Sequence, residues 1–124
     1  MRNFRQLNIW KDGIQLTTRI YKLSACLPKE ERYGLRSQMT RAAVSIPANV
    51  AEGCSRSSNR EFARFLEIAI GSSFELETHL LVASTLGFIQ NSECEVFIQE
   101  INALQRRINT LITKVRKVPI RRYH

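Results

Sequence analysis

Apolar side chains recur in two parallel series near the start of the chain. Ile9, Gly13, Leu16, Ile20 and Leu23 follow the four-three spacing of a packed helical seam, and Leu7, Trp10, Ile14, Thr17 and Tyr21 run beside them. The polar remainder, Asn8, Lys11, Asp12, Gln15, Arg19 and Lys22, is a narrow stripe. The pattern predicts a helix from Arg5 to Cys26 that is apolar on two sides. One side serves a core within the chain. The other asks for a second buried contact, most simply another copy, which makes Leu7, Trp10, Ile14 and Tyr21 candidate oligomer-interface residues.

Pro28 breaks the pattern, and Glu30 and Glu31 supply the negative charge that a first helical turn favours. A second helix is expected to follow as far as Cys54, with Leu35, Met39, Ala42, Ala43, Ile46 and Val50 on one face. Pro47 lies inside it. A proline there offers no amide donor and crowds the carbonyl of Ala43, so a kink is expected, with nearby polar groups or water replacing the missing bond. Asn49 and Glu52 are the neighbours best placed by sequence for that role.

Ser58-Asn59-Arg60-Glu61 fits a capping box and opens a third helix, whose Phe62, Phe65, Leu66, Ala69, Ser73, Leu76, Leu80 and Ala83 share a face. Gly87 is its expected stop. Ser92-Glu93-Cys94-Glu95 reads as a second capping box. It opens a fourth helix with Phe97, Ile101, Leu104, Ile108, Leu111, Val115 and Val118 on heptad spacing, ended by Pro119. Short connections make sequential helices antiparallel neighbours. The expected fold is therefore an all-α, up-down-up-down four-helix bundle over residues 1–118, with a basic C-terminal tail at 119–124.

The chain has 124 residues, a single domain by length, and long enough for one core without staples. Cys26, Cys54 and Cys94 form no CxxC pair and leave an odd thiol, as expected of reduced cysteines in a cytosolic protein. No apolar run approaches the roughly 20 residues of a membrane span, and Met1–Gln6 is charged rather than signal-like. A cytoplasmic location away from membranes is the expectation.

The net charge of +8 is unevenly spread. Residues 1–60 carry eleven Lys/Arg against four Asp/Glu, and residues 61–100 carry one Arg against seven Glu. Residues 101–124 carry seven Lys/Arg and no acid. Such a chain can satisfy itself between helices or subunits, or present a cationic face to a polyanion.

Catalytic constellations are missing from the pattern. His79 and His124 stand alone, and the positions three after Glu75 and Glu77 are Thr78 and Leu80, so the Glu-x-x-His pairs of a di-iron bundle are absent. His79 reads as a helix residue near Glu75. Ser72 and Ser73 lie within a helix rather than on a nucleophile elbow, and Gly71-Ser72-Ser73 reads as a close-packing cluster. No glycine-rich loop follows a strand. No metal, cofactor or enzymatic activity is expected.

Cations are the better candidates. Arg106, Arg107, Lys114, Arg116, Lys117, Arg121 and Arg122 exceed what a helix C-terminus needs, and Tyr123 adds one ring for base stacking. For Arg41, Arg56 and Arg60, binding surface and interhelical ion pairing stand side by side as readings.

The run Gln38-Met39-Thr40-Arg41-Ala42-Ala43-Val44-Ser45-Ile46-Pro47-Ala48-Asn49-Val50-Ala51-Glu52-Gly53 resembles the signature of the bacterial 23S rRNA intervening-sequence proteins, also labelled S23 ribosomal proteins. The resemblance continues through Arg56, Arg60-Glu61-Phe62, Arg64-Phe65-Leu66, Ala69, Gly71-Ser72-Ser73 and Glu75-Leu76-Glu77. Upstream it takes in Trp10-Lys11, Ile20-Tyr21, Pro28, Glu31 and Tyr33-Gly34-Leu35. It implies a four-helix bundle assembled as a homopentamer. It also implies a likeness to accessory proteins of diversity-generating retroelements, basic pentamers that bind nucleic acid. The expected function is non-enzymatic nucleic-acid binding by a homo-oligomer, RNA ahead of DNA on family association, through Lys/Arg contacts to phosphate. The alternative is a scaffold whose charges hold subunits or an acidic partner protein.

Overall fold

The computed structural model describes residues 2–117; Val118, the Pro119 stop and the basic tail with Arg121 and Arg122 lie outside the described residues. Four helices, α1 (Asn8–Ser24), α2 (Leu35–Cys54), α3 (Asn59–Thr85) and α4 (Asn91–Lys117), make up the fold, with short 3-10 turns at Phe4–Gln6 and Lys29–Glu31. Among the described residues there is no strand. Gly13 packs on Pro47, Ser45 bonds Ser72 at 2.8 Å, Gln105 donates to Ser73 at 3.0 Å, and Arg107 pairs with Asp12. A second contact in each pair, Thr17 with Ala43, Gly53 with Phe62, Asn102 with Glu77 and Arg19 with Glu100, runs up one helix as it runs down the other, so every neighbouring pair is antiparallel, the up-down-up-down order.

The seams meet as the periodicity requires. Ile20, Met39, Ile46, Leu66, Leu76, Leu80, Ile101, Leu104 and Ile108 are each under 2% exposed. Burying a side chain of this size contributes about 1.5–3 kcal/mol. On α4 the buried face is wider than the heptad seam, taking in Cys94, Gln105 and Ile112, while Leu111 is only half-buried. On α3 Phe65 is half-buried and Ala63 is buried in addition to the expected face.

Several helix ends differ from the sequence expectation. The first helix starts at Asn8 and stops at Ser24 rather than spanning Arg5 to Cys26. The Asn3 side chain accepts from the Arg5 amide at 3.2 Å and winds Phe4–Gln6 into a separate turn, and Leu7 is extended between the two. Phe4 then lies edge-on to Trp10, with ring centroids 5.1 Å apart. Glu30 and Glu31 belong to a turn ahead of α2, yet Glu31 still caps that helix by accepting from the Leu35 amide at 3.1 Å. Ser58 caps α3 as expected, accepting from the Glu61 amide at 3.1 Å. Gly87, at φ +80°, ends α3 in a Schellman turn, with Phe88 N–H to Ala83 C=O at 2.9 Å and Gly87 N–H to Ser84 C=O at 3.0 Å. Ser92 is not an N-cap: α4 already starts at Asn91, and the Cys94 amide donates to the Gln90 carbonyl at 2.9 Å.

The backbone pairing at Ala43 is altered as Pro47 demands, within a helix that continues to Cys54. A donor within reach comes from another helix. Thr17 Oγ1 lies 3.0 Å from the Ala43 carbonyl oxygen and 2.7 Å from that of Gly13, so its one proton is shared between the two acceptors. Thr17, counted by spacing with the outward series of α1, is buried for this reason. Asn49 bonds Ser45 instead, at 2.8 Å to its carbonyl, and Glu52 pairs with Arg56.

Candidate functional site

Antiparallel packing brings one set of helix ends together: the N-terminal turn, the end of α2, the start of α3 and the end of α4. Arg2 locks this end. It donates to the Arg56 carbonyl at 2.8 Å and to Asn59 Oδ1 at 2.6 Å, and its guanidinium lies 4.3 Å from the Phe62 ring centroid. Arg56 sits 4.7 Å from the Phe65 ring centroid and pairs with Glu52 at 2.8 Å, so much of its charge is used within the chain. Its Nε is buried without an acceptor among the described residues. Arg116 pairs with Glu67 at 2.7 Å, which fixes the end of α4 beside the start of α3.

Arg60, Arg106, Lys114 and Lys117 are exposed and have no carboxylate within ion-pair distance among the described residues. Arg5 and Arg64 are in the same condition and lie with Arg60, Lys114 and Lys117 toward this end, whereas Arg106 sits level with Ser73, midway along the bundle. Sequence reasoning passed over Arg2, Arg5 and Arg64. Arg64 was counted within an acidic block, although its i, i+4 relation to Arg60 already placed both on one face of α3. Arg107 is drawn away to α1 by Asp12. Arg41 stands apart, midway along α2, beside a groove of about 390 Å³ that it lines with Gln38, Ser45 and Glu75. The exposed second half of α4 offers Arg106, Asn109, Thr110, Thr113, Lys114 and Lys117, cations interleaved with neutral hydrogen-bonding groups. Such a surface suits phosphate oxygens and discriminates little among bases.

The four oligomer-interface candidates divide. Leu7 and Trp10 are half-buried against the chain's own core, whereas Ile14 and Tyr21 are 41% and 52% exposed. The Gly13–Pro47 and Thr17–Ala43 contacts place Val44 of α2 on the same side as Ile14. Val44 is 43% exposed, and Ala48 lies one turn beyond it. The apolar face therefore spans two helices, and the α2 half was not legible from the α1 pattern alone.

The three thiols differ in burial. Burial pushes Cys54 above its ordinary pKa, with Arg2 opposing, and burial likewise pushes Cys94 up. Cys26 is exposed. Among the described residues no three His, Cys, Asp or Glu side chains converge to hold a metal ion, and no helix is long and apolar enough to cross a membrane.

A basic-ended four-helix bundle with one apolar flank is the class that these features define. The model of the 23S rRNA-intervening sequence protein family matches residues 5–110, and the chain belongs to that family. Its fold is similar to the crystal structure of a protein of unknown function from the S23 ribosomal protein family of Bacteroides thetaiotaomicron VPI-5482. The TM-score is 0.78 at 22% identity, covering 84% of this chain and 97% of that one. None of the curated proteins matches the chain in sequence.

Proposed function

We propose that this chain is a non-enzymatic, cytoplasmic protein that assembles with copies of itself, as a ring of five, and binds nucleic acid through the cationic end of the bundle. The observation that carries the binding is the gathering there of Arg5, Arg60, Arg64, Lys114 and Lys117 from three parts of the chain without acidic partners among the described residues. Their fields add over one surface, and contact to phosphate releases counterions. The family's name ties it to 23S rRNA, which puts RNA ahead of DNA as the polyanion. The assembly rests on exposed Ile14, Tyr21 and Val44. Three free thiols accord with a reducing compartment. The same apolar side chains support a second reading, a scaffold whose charges hold an acidic partner protein.

The test compares wild type with the variant Arg60→Gln, Arg64→Gln, Lys114→Gln, Lys117→Gln in RNA titrations at two salt concentrations. Four lost phosphate contacts should weaken binding for every RNA sequence tried and make the salt slope shallower by up to about 2.8 on single strands. An unchanged slope removes this end from the binding surface. No RNA binding by wild type at about 50 mM salt, a concentration at which phosphate contacts are strong, leaves the scaffold reading in place.

A further inference from the structure

Between the N-terminal turn and the end of α2 lies a hollow of about 400 Å³. Arg2 fixes one wall by tying the turn to the Arg56 carbonyl and Asn59, and Phe4 is held edge-on to Trp10. Phe4, Ala51 and the buried Cys54 give the hollow an apolar lining, and Asn3, Arg5 and Ser55 add polar groups. Among the described residues no carboxylate lines it. The grooves beside Cys26, Leu81 and Arg41 each include one, Glu93, Glu95 and Glu75, and the smaller groove beside Leu16 has Asp12 and Glu100. Two polar groups of the hollow keep bonding capacity. Asn3 accepts through Oδ1 from the Arg5 amide at 3.2 Å, which leaves its Nδ2 without a partner among the described residues. The Ser55 hydroxyl donates to the Glu52 carbonyl at 2.6 Å, so its oxygen can still accept. The Arg5 guanidinium lies 5.0 Å from the Phe4 ring centroid and has no carboxylate partner among the described residues.

We infer that this hollow receives one unpaired base of a bound RNA strand. The inference rests on the RNA binding proposed above and names the place where a base is taken up beside the phosphate-contacting surface. Small-molecule sites run from roughly 300 to 1,000 Å³, and a single flat base needs only the lower part of that range. A base brings an apolar face and an edge that carries both donors and acceptors. Phe4, Ala51 and Cys54 suit the face, and Asn3 and Ser55 suit the edge. Charge selects this hollow over the other grooves, because a carboxylate in the wall would repel the phosphate that every base carries with it, whereas Arg5 attracts it. The bond from Arg2 to Asn59 sets the hollow next to the start of α3, so the strand continues onto Arg60 and Arg64. One donor and one acceptor can serve any base edge, which makes the site tolerant of sequence. It is not tolerant of pairing: a base in a duplex must first leave its stack and its partner, and an unpaired base need not. The hollow thus distinguishes single strand from duplex.

Two variants test this, each checked for unchanged helicity by circular dichroism. Ala51→Leu fills the hollow without changing any charge, and Phe4→Leu keeps bulk while removing the aromatic face. Both are titrated with a single-stranded RNA and with a blunt RNA duplex of the same length. Each variant should bind the single strand about tenfold more weakly than wild type, the scale of one stacked base. Its salt slope should stay that of wild type, since no phosphate contact is lost, and its affinity for the duplex should be unchanged. Wild type alone gives a second measurement: a strand of abasic ribose phosphates should bind about tenfold more weakly than RNA of the same length. No RNA binding by wild type overturns the proposed function and this inference together. Full affinity for the abasic strand, or variants that bind the single strand as wild type does or lose equally on strand and duplex, overturns the base site while leaving phosphate binding standing.

Discussion

Removing the Thr17 hydroxyl should cost far more than its size suggests. Pro47 has no N–H to offer the Ala43 carbonyl, and Ala43 is fully buried, so Thr17 Oγ1 at 3.0 Å, whose one proton also reaches the Gly13 carbonyl at 2.7 Å, is the donor in reach. Thr17→Val keeps the shape of the side chain and strands that carbonyl. An unsatisfied buried acceptor costs about 1–3 kcal/mol. Gly13 loses less, because its carbonyl keeps the α1 backbone bond. For a chain of this length the change should lower Tm by roughly 5–10 °C. Urea unfolding followed by circular dichroism, at one fixed chain concentration, gives the number. The decisive comparison is a double-mutant cycle with Pro47→Ala, which restores an amide donor at residue 47. In that background Thr17→Val should lose most of its cost, leaving a coupling of about 1–2 kcal/mol. Equal costs in both backgrounds, or a single-mutant effect below about 0.5 kcal/mol, would refute the account of Thr17 as the replacement donor.

Gly53→Ala should destabilise by about 2 kcal/mol net of its gain in helix propensity. The new Cβ would stand 2.9 Å from Phe65 Cβ and 3.0 Å from Phe62 Cδ1, a clash visible in the same urea titration; a stabilised variant would contradict it. A thiol reagent at pH 8 should label Cys26 quickly and Cys54 and Cys94 about tenfold more slowly or worse until the chain is unfolded. Their folded pKa values lie above the ordinary 9.0, so the protonated thiols' contribution to stability is full below pH 9 and fades as pH rises beyond it. Fast labelling of all three in the native protein would show the reading of burial to be wrong.

Periodicity alone placed the core, because Ile20, Ile46, Leu66 and Leu104 each repeat within an uninterrupted helical series. Ends were harder. Ser58 was legible because its cap is local and opens an apolar series, whereas the Asn3 turn stands ahead of the apolar series of α1, and α4 starts on a backbone bond, Cys94 N–H to Gln90 C=O, that no residue type marks. Thr17 shows the limit most clearly: its spacing groups it with Ile14 and Tyr21, yet a proline on another helix draws it inward. Candidate cations were legible one at a time. Their grouping was not, since Arg60 and Lys114 come together only through the antiparallel order of the helices.

Between α3 and α4 lies a polar cluster with a different consequence. Gln105 Nε2 donates to Ser73 Oγ at 3.0 Å and to Glu77 Oε1 at 3.2 Å, and Asn102 Nδ2 donates to Glu77 at 3.1 Å and to Gln105 at 2.9 Å. Both helices are 27 residues long, with apolar ladders that repeat themselves along the axis. Sliding one past the other by a heptad, about 10 Å, would still set leucine against isoleucine. It would also leave Gln105 and Ser73 facing hydrocarbon, at about 1–3 kcal/mol for each stranded group. The cluster thus adds little to how firmly the two helices adhere and much to where along each other they come to rest. Every surface that draws on both helices, from the Glu67–Arg116 pair at one end to the groove beside Leu81 at the other, inherits its alignment from four polar side chains.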